Sequence, residues 1–285
     1  MNRKSFREHW DHLDKEALVD AQLTFLRHYL KSCVIPYGPF YRERFADLDV
    51  DALKTPADLA AIPLMSKEDL LPSDEHPDRA RELVLQPTAK QLQSSPANIA
   101  RALFQGRASV KESLEKEFRP VLMTATTGRS SDPVPFLYTH YDLDNLALTG
   151  IRLMELCDSK KEHRHLNAFP YAPHLAFWQM HYASLGFNTF CLSTGGGKTM
   201  GTDGNLRMIR KIKPEALIGM PTFVYHLLSM AVDEGMRWTN LHRIVLGGEK
   251  VAPGLRRKLR ALCAGLGSED TIVMATYGFT EAKTA

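Results

Sequence analysis

The feature that most constrains this chain is a change of texture after Pro120. From there, short apolar runs alternate with longer amphipathic stretches. Residues 121–124, 136–138, 166–169, 216–219, 244–247 and 271–274 read as strands. Segments near 142–157, 175–185, 205–211, 223–232 and 255–262 read as helices. Strand and helix in alternation predict βαβ units and a largely parallel sheet flanked by helices, an α/β fold. In such a sheet, ligands collect at the carboxyl ends of the strands.

Upstream of Pro120 the pattern is helical. Val19, Leu23, Leu26 and Leu30 recur near a 3.6-residue period, which predicts a helix over 5–33 that Pro36 and Gly38 break. Thr55-Pro56 and Ser66 open short helical turns with hydroxyl caps, and a longer helix is expected over 97–117. The expected division is a mostly helical region, 1–118, followed by an α/β core, 119–285.

Charge narrows the function. The chain carries 36 basic and 33 acidic residues, a net charge of +3 that selects neither nucleic acid nor an anionic membrane. The cluster Arg256, Arg257, Lys258 and Arg260 reads as the wet face of a helix. The amino terminus has no apolar segment for secretion, and no window reaches the roughly 18 apolar residues of a membrane span. Cys33, Cys157, Cys191 and Cys263 lack metal-ligand spacing and read as reduced thiols. A soluble, cytoplasmic protein is expected.

Three segments carry chemistry, each where a strand should end. Thr124, Thr126, Thr127, Gly128 and Arg129 form a hydroxyl- and glycine-bearing turn closed by a cation. Such a turn wraps phosphate oxygens with backbone N–H groups while Arg129 neutralises charge. Gly247-Gly248-Glu249 lets a flat base or ribose approach the backbone. In Tyr277-Gly278-Phe279-Thr280-Glu281, the aromatic can stack on a nucleobase, the hydroxyl can hold a phosphate oxygen and the carboxylate can hold Mg²⁺. Each also has a plain structural reading as a polar turn.

Taken in order, the trio resembles the nucleotide-binding motifs of the adenylate-forming superfamily of acyl-CoA synthetases, and within it the phenylacetate–CoA ligase branch. The phosphate loop of that family reads Ser-Gly-Thr-Thr-Gly-Lys, to which residues 124–129 are similar. Its Gly-Gly-Glu turn resembles residues 247–249, and its Tyr-Gly-Leu/Met-Ser/Thr-Glu motif resembles residues 277–281. Weaker similarity extends over residues 40–70 and 213–222. The chain departs from the family with Ala125 in place of glycine, Arg129 in place of lysine, and Ser130-Ser131-Asp132 inserted before Pro133.

The resemblance implies ATP, Mg²⁺ and a carboxylic acid, aromatic if the branch holds, with coenzyme A as the acceptor thiol. It implies Thr280, Glu281 and Arg129 as catalytic groups, with Glu281 on the metal. Nucleotide contacts would come from Thr124, Thr126, Thr127, Gly128, Gly247, Gly248, Glu249, Tyr277 and Gly278. Tyr171 and His174, on the turn after a strand, are candidates for the acid pocket, whereas Phe177 and Trp178 are read as core. The family continues with a ribose-binding aspartate and a lid carrying a lysine; none follows Glu281 here, so the ATP- and acid-binding part alone is expected, with little turnover. A surface left open by a missing lid could support a homodimer. Alternatives are an amine or carrier-protein acceptor, and a non-catalytic nucleotide- or acid-binding module.

Two other signals are set aside. Thr194-Gly195-Gly196-Gly197-Lys198-Thr199 suggests a P-loop, but the position six residues before Lys198 is Leu192 rather than glycine. His163, His165, His174 and His181 do not have zinc-ligand spacing and read as surface or core residues.

Overall fold

The computed structural model describes residues 6, 9–126, 133–171 and 173–283. The chain divides into two compact units, Met1–Phe118 and Arg119–Ala285.

Every regular element among the first unit's described residues is a helix. Helix α1, Lys15–Tyr29, starts where the Asp14 carboxylate accepts the Ala17 N–H, later than the expected start near residue 5. Leu30 and Val34 at its far end pack with Phe45, Val50 and Leu53 into a small core. The single helix expected over 97–117 is two, α2 (Pro96–Gln105) and α3 (Arg107–Phe118). The break is Gly106, whose φ of 84° is incompatible with a continuous helix.

In the second unit, β1 (Pro120–Ala125) and β2 (Pro135–Thr139) pair with each other, antiparallel, with Thr124 opposite Phe136. The connection between them is too short for a parallel crossover, which makes the pair antiparallel, and they form a two-stranded sheet separate from the main one. The main sheet has five parallel strands: β3 (Arg164–Asn167), β4 (Phe190–Ser193), β5 (Ala216–Gly219), β6 (Arg243–Leu246) and β7 (Ile272–Ala275). Their spatial order is β4-β3-β5-β6-β7. Strand β4 was not expected; its residues are only half buried at an edge, so its apolar signal is weak.

Helices α4 (His140–Leu156), α5 (Leu175–Phe187), α6 (Gly196–Ile212), α7 (Pro221–Asp233) and α8 (Pro253–Gly265) connect and cover these strands. Side chains alternate across the sheet and split the core in two. One face carries Leu166, Leu217, Ile244 and Leu246, packed with Leu206 and Ile209 of α6, Leu227 and Leu228 of α7, and Leu259 of α8. The other carries Ala216 and Ile218, packed with Met154 of α4 and with Phe177, Met180 and Ala183 of α5. Trp238 is buried beside the first face, and its indole N–H donates to the Pro214 carbonyl at 2.8 Å.

At the amino ends of the strands, Glu215 ties β3 to β5. Its carboxylate accepts the Arg164 backbone N–H and guanidinium, each at 2.6 Å, and the Asn240 amide at 2.9 Å. Burial by itself would raise the carboxyl pKa, but these donors outweigh it and hold it at about 2. A carboxylate held below its ordinary 4.5 stabilises the fold above that pH, and the contribution is lost as pH falls toward 2. Because Arg164 is partly exposed, the effect is discounted to about 2 kcal/mol. Glu215→Ala is therefore expected to lower the unfolding free energy by about 2 kcal/mol at pH 7 and much less near pH 2, measured by urea denaturation at the two pH values.

Candidate active site

Because the five strands are parallel, their carboxyl ends share one edge. The register aligns Gly219 with Leu246 and Leu246 with Ala275. The turns leaving β5, β6 and β7 are therefore neighbours: the Gly247 N–H donates to Gly219, and the Thr276 N–H to Leu246. The β1–β2 pair joins them where the Ala125 N–H donates to the Pro173 carbonyl, on the loop after β3.

These turns surround a cavity of about 850 Å³. Its mouth is lined by Thr126 of the threonine turn, by Gly247 and Gly248, and by Gly278, Phe279, Thr280 and Glu281. Three segments spread over residues 126–281 thus line one cavity. His174 and Lys198 line it as well. Desolvation lowers the His174 pKa, and the nearby Lys198 charge lowers it further, so the imidazole is neutral at pH 7.

Two glycines are required by this geometry. Gly248 has φ of 81°, which lets the second turn leave β6 at once. Gly196, with φ of 68°, opens α6, and a Cβ there would lie 2.7 Å from the Ala168 carbonyl oxygen. A buried polar net fixes the turn that opens α6. Thr194 donates to Asn205 Oδ1 at 2.6 Å, and the Asn205 amide donates to the carbonyls of Gly196 (3.2 Å) and Gly201 (2.7 Å). Asn167 carries the net into β3, its carbonyl accepting the Thr194 N–H at 2.9 Å and its side-chain oxygen the Phe169 N–H at 3.2 Å. The glycine run is thus a helix start beside the cavity, and Lys198 comes with it. The signal available in the sequence was position: an apolar run, 190–192, directly before the glycines.

Other expected residues stand elsewhere. Thr124 is fully buried in β1, its hydroxyl 3.5 Å from the Tyr138 hydroxyl, and lies outside the cavity wall. Thr124 lies within β1, paired with Phe136 of β2, whereas Thr126 follows Ala125, the last residue of the strand, and lines the cavity. Thr126 accepts the Val134 N–H at 3.0 Å. The Glu249 carboxylate is turned away to α7, accepting the Thr222 N–H (3.1 Å) and hydroxyl (2.6 Å) near that helix's amino end. Tyr277 is 85% exposed and outside the lining, its ring 6.0 Å from Phe279. Tyr171 donates its hydroxyl to the Ser193 carbonyl at 2.8 Å and packs edge-on against Phe177, bracing the wall from behind. Phe177 is buried in the core and Trp178 packs beside it. Thr127, Gly128 and Arg129 lie outside the described residues.

Among the described residues no group of three or more His, Cys, Asp or Glu side chains could hold a metal ion by itself. A lone carboxylate on a cavity wall, such as Glu281, nonetheless suits Mg²⁺, which keeps waters and takes its other ligands from bound phosphates. Cys157, Cys191 and Cys263 are free thiols. No helix among the described residues is long and apolar enough to cross a membrane.

Residues 52–285 match the family described as AMP-binding enzyme. The chain belongs to that family. Solved structures of 2-hydroxyisobutyryl-CoA ligase share its fold. The open conformation in complex with 2-HIB-AMP and CoA superposes with a TM-score of 0.72 at 17% identity, covering 95% of this chain and 56% of that one. The thioesterification state gives 0.74 at 18% identity, covering 95% and 51%. The chain therefore spans about half the length of these ligases, and its fold is that of the amino-terminal domain of adenylate-forming ligases. No curated protein sequence matches it.

His165, read from the sequence as a surface or core residue, is 1% exposed and lies in the cavity wall near the amino end of β3. Burial lowers its pKa from 6.5 to about 4, and the neighbouring His163 adds to the effect. As pH falls, the unfolded chain binds this proton first, so stability is lost between pH 6.5 and pH 4. The loss amounts to about 3 kcal/mol for the shift itself. A ring resonance titrating near pH 4 in the folded protein is expected by NMR; a midpoint near 6.5 would show that the ring is solvated.

Proposed function

We propose that this chain binds ATP and a carboxylic acid and joins them as an acyl-adenylate, whose acyl group then passes to coenzyme A. The single observation that carries the reading is that the threonine turn, the double-glycine turn and the segment 278–281 line one cavity. Family membership supports adenylate chemistry. The related 2-hydroxyisobutyryl-CoA ligase, solved with 2-HIB-AMP and CoA, supports the acid and the thiol.

In this reading an acid oxygen attacks the α-phosphorus and pyrophosphate departs. The thiol then attacks the acyl carbon, and AMP departs. The protein's part is positioning and neutralisation of charge. Thr126 is proposed to donate to the phosphates together with Thr127, Gly128 and Arg129. Gly247 and Gly248 would let the adenosine lie against bare backbone, with the exposed Tyr277 ring stacking on the base. Thr280 is assigned to the α-phosphate, and Glu281 would hold Mg²⁺, which would supply positive charge to neutralise the phosphates. His174, neutral at the mouth, is proposed to face the carboxyl end of the acid without competing as a cation. The apolar wall of Phe169, Met154, Met180, Ile218 and Val245 would take the rest.

The finer reading is a phenylacetate–CoA ligase-like enzyme of the cytoplasm acting on an aromatic acid. It is supported by the ordered motifs and the apolar wall. These 285 residues alone are proposed to bind their ligands with little turnover, being about half the length of the ligases they match.

Isothermal titration with ATP and Mg²⁺ is expected to give saturable binding. Glu281→Ala should weaken it about tenfold or more with Mg²⁺ present and little in EDTA. Equal losses in both conditions would remove Glu281 from the metal, and an absence of heat or thermal shift at millimolar nucleotide would overturn the reading.

A further inference from the structure

The cavity does not end beneath the nucleotide turns. It continues along the sheet face under α4 and α5, past Ile218 and Val245, to the amino ends of β3, β5 and β6. There the register sets His165, Ala216 and Arg243 in one row across three adjacent strands. From Gly219 back to Ala216 is three residues, about 10 Å of strand rise. Ala216 below and Ala183 of α5 above are too small to fill this end.

The far end is where the apolar wall turns polar. His165 is buried, yet neither ring nitrogen has a hydrogen-bond partner among the described residues. An imidazole walled off in this way keeps a desolvation penalty that a partner would remove, and such orphans are rare in folded proteins. Its suppressed basicity leaves the ring neutral at pH 7, with one N–H donor and one acceptor nitrogen. The other charged group in the row is already engaged: Arg243 donates to the Cys157 carbonyl at 2.9 Å and to Asp158 at 3.0 Å. A neutral group able to donate and accept therefore fits better than a second carboxylate.

We propose that His165 is a specificity-determining residue that reads a hydroxyl at the end of the acid distal to its carboxylate. The inference rests on the proposed acid activation and adds the substrate class: a carboxylic acid long enough to run down the channel and hydroxylated at its far end. The acid's apolar body lies along Ile218, Val245 and Met180, and its hydroxyl pairs with the imidazole. Rejection of the methyl isostere follows, because that group leaves the ring unpaired.

The test uses acyl-sulfamoyl-adenosine analogues, in which the nucleotide anchors the tail. One pair carries ω-hydroxyoctanoyl and nonanoyl tails; a second pair carries hydroxyphenylbutanoyl and methylphenylbutanoyl tails; a third analogue carries a suberate tail. The wild-type chain is expected to bind the hydroxyl member of at least one pair about tenfold or more tightly. His165→Phe, which keeps the ring and removes both nitrogens, should abolish that preference while leaving the methyl member bound. Should this variant fail to fold, the wild-type His165 ring nitrogen resonances provide the readout, shifting with the hydroxyl tail and not with the methyl tail. Equal affinity within both pairs, unmoved ring resonances or a preference for the suberate tail overturns the proposal alone. Failure of every analogue to bind overturns the adenylate reading beneath it.

Discussion

The parallel register of β3, β5, β6 and β7 is the constraint on which the rest of the second unit depends. Each strand is four residues long, so a slip of one residue would turn its apolar set to the wrong face and misalign its exit turn. The carboxyl ends meet along one edge only because every strand runs the same way. Glu215 and the donors around it hold the opposite edge, tying β3 to β5 where the two strands begin. Position at one edge is thus maintained by contacts at the other.

The two sheet faces have been given different tasks by the size of their side chains. Beneath α6, α7 and α8, leucines and isoleucines fill the space to near-complete burial. Beneath α4 and α5, alanine and methionine leave a channel between helix and sheet. A channel of this kind costs packing energy that a filled core would recover. The polar groups at its two ends, His174 and Lys198 at the mouth and His165 at the far end, give it chemical direction.

Much of this was legible in the sequence, and the misses have physical causes. The α/β class followed from alternating runs such as 216–219 and 244–247, because a strand buried on both faces must be continuously apolar. The three site segments were found because turns at strand ends need glycine and hydroxyl residues whatever their surroundings. Side-chain direction was not readable to the same degree. Thr124 and Thr126 look alike in sequence, yet one is buried within β1 and the other lies just past the end of the strand, in the cavity wall. Glu249 lies beside two cavity-lining glycines but is drawn off by Thr222, a partner 27 residues away. His165 sat among other histidines without metal spacing, and only the channel beside it and its missing partners distinguish it. The break at Gly106 carried a local signal, a glycine in mid-helix, that periodicity alone did not weigh.

The central claim is spatial: turns far apart in the chain grip one nucleotide. Photolabelling with an azido-adenosine nucleotide, followed by peptide mapping, tests it most directly. The account predicts label on peptides containing Gly247-Gly248 and residues 277–281, displaced together by unlabelled ATP. Label confined to the Met1–Phe118 unit, or label on these peptides that ATP does not displace, would contradict it.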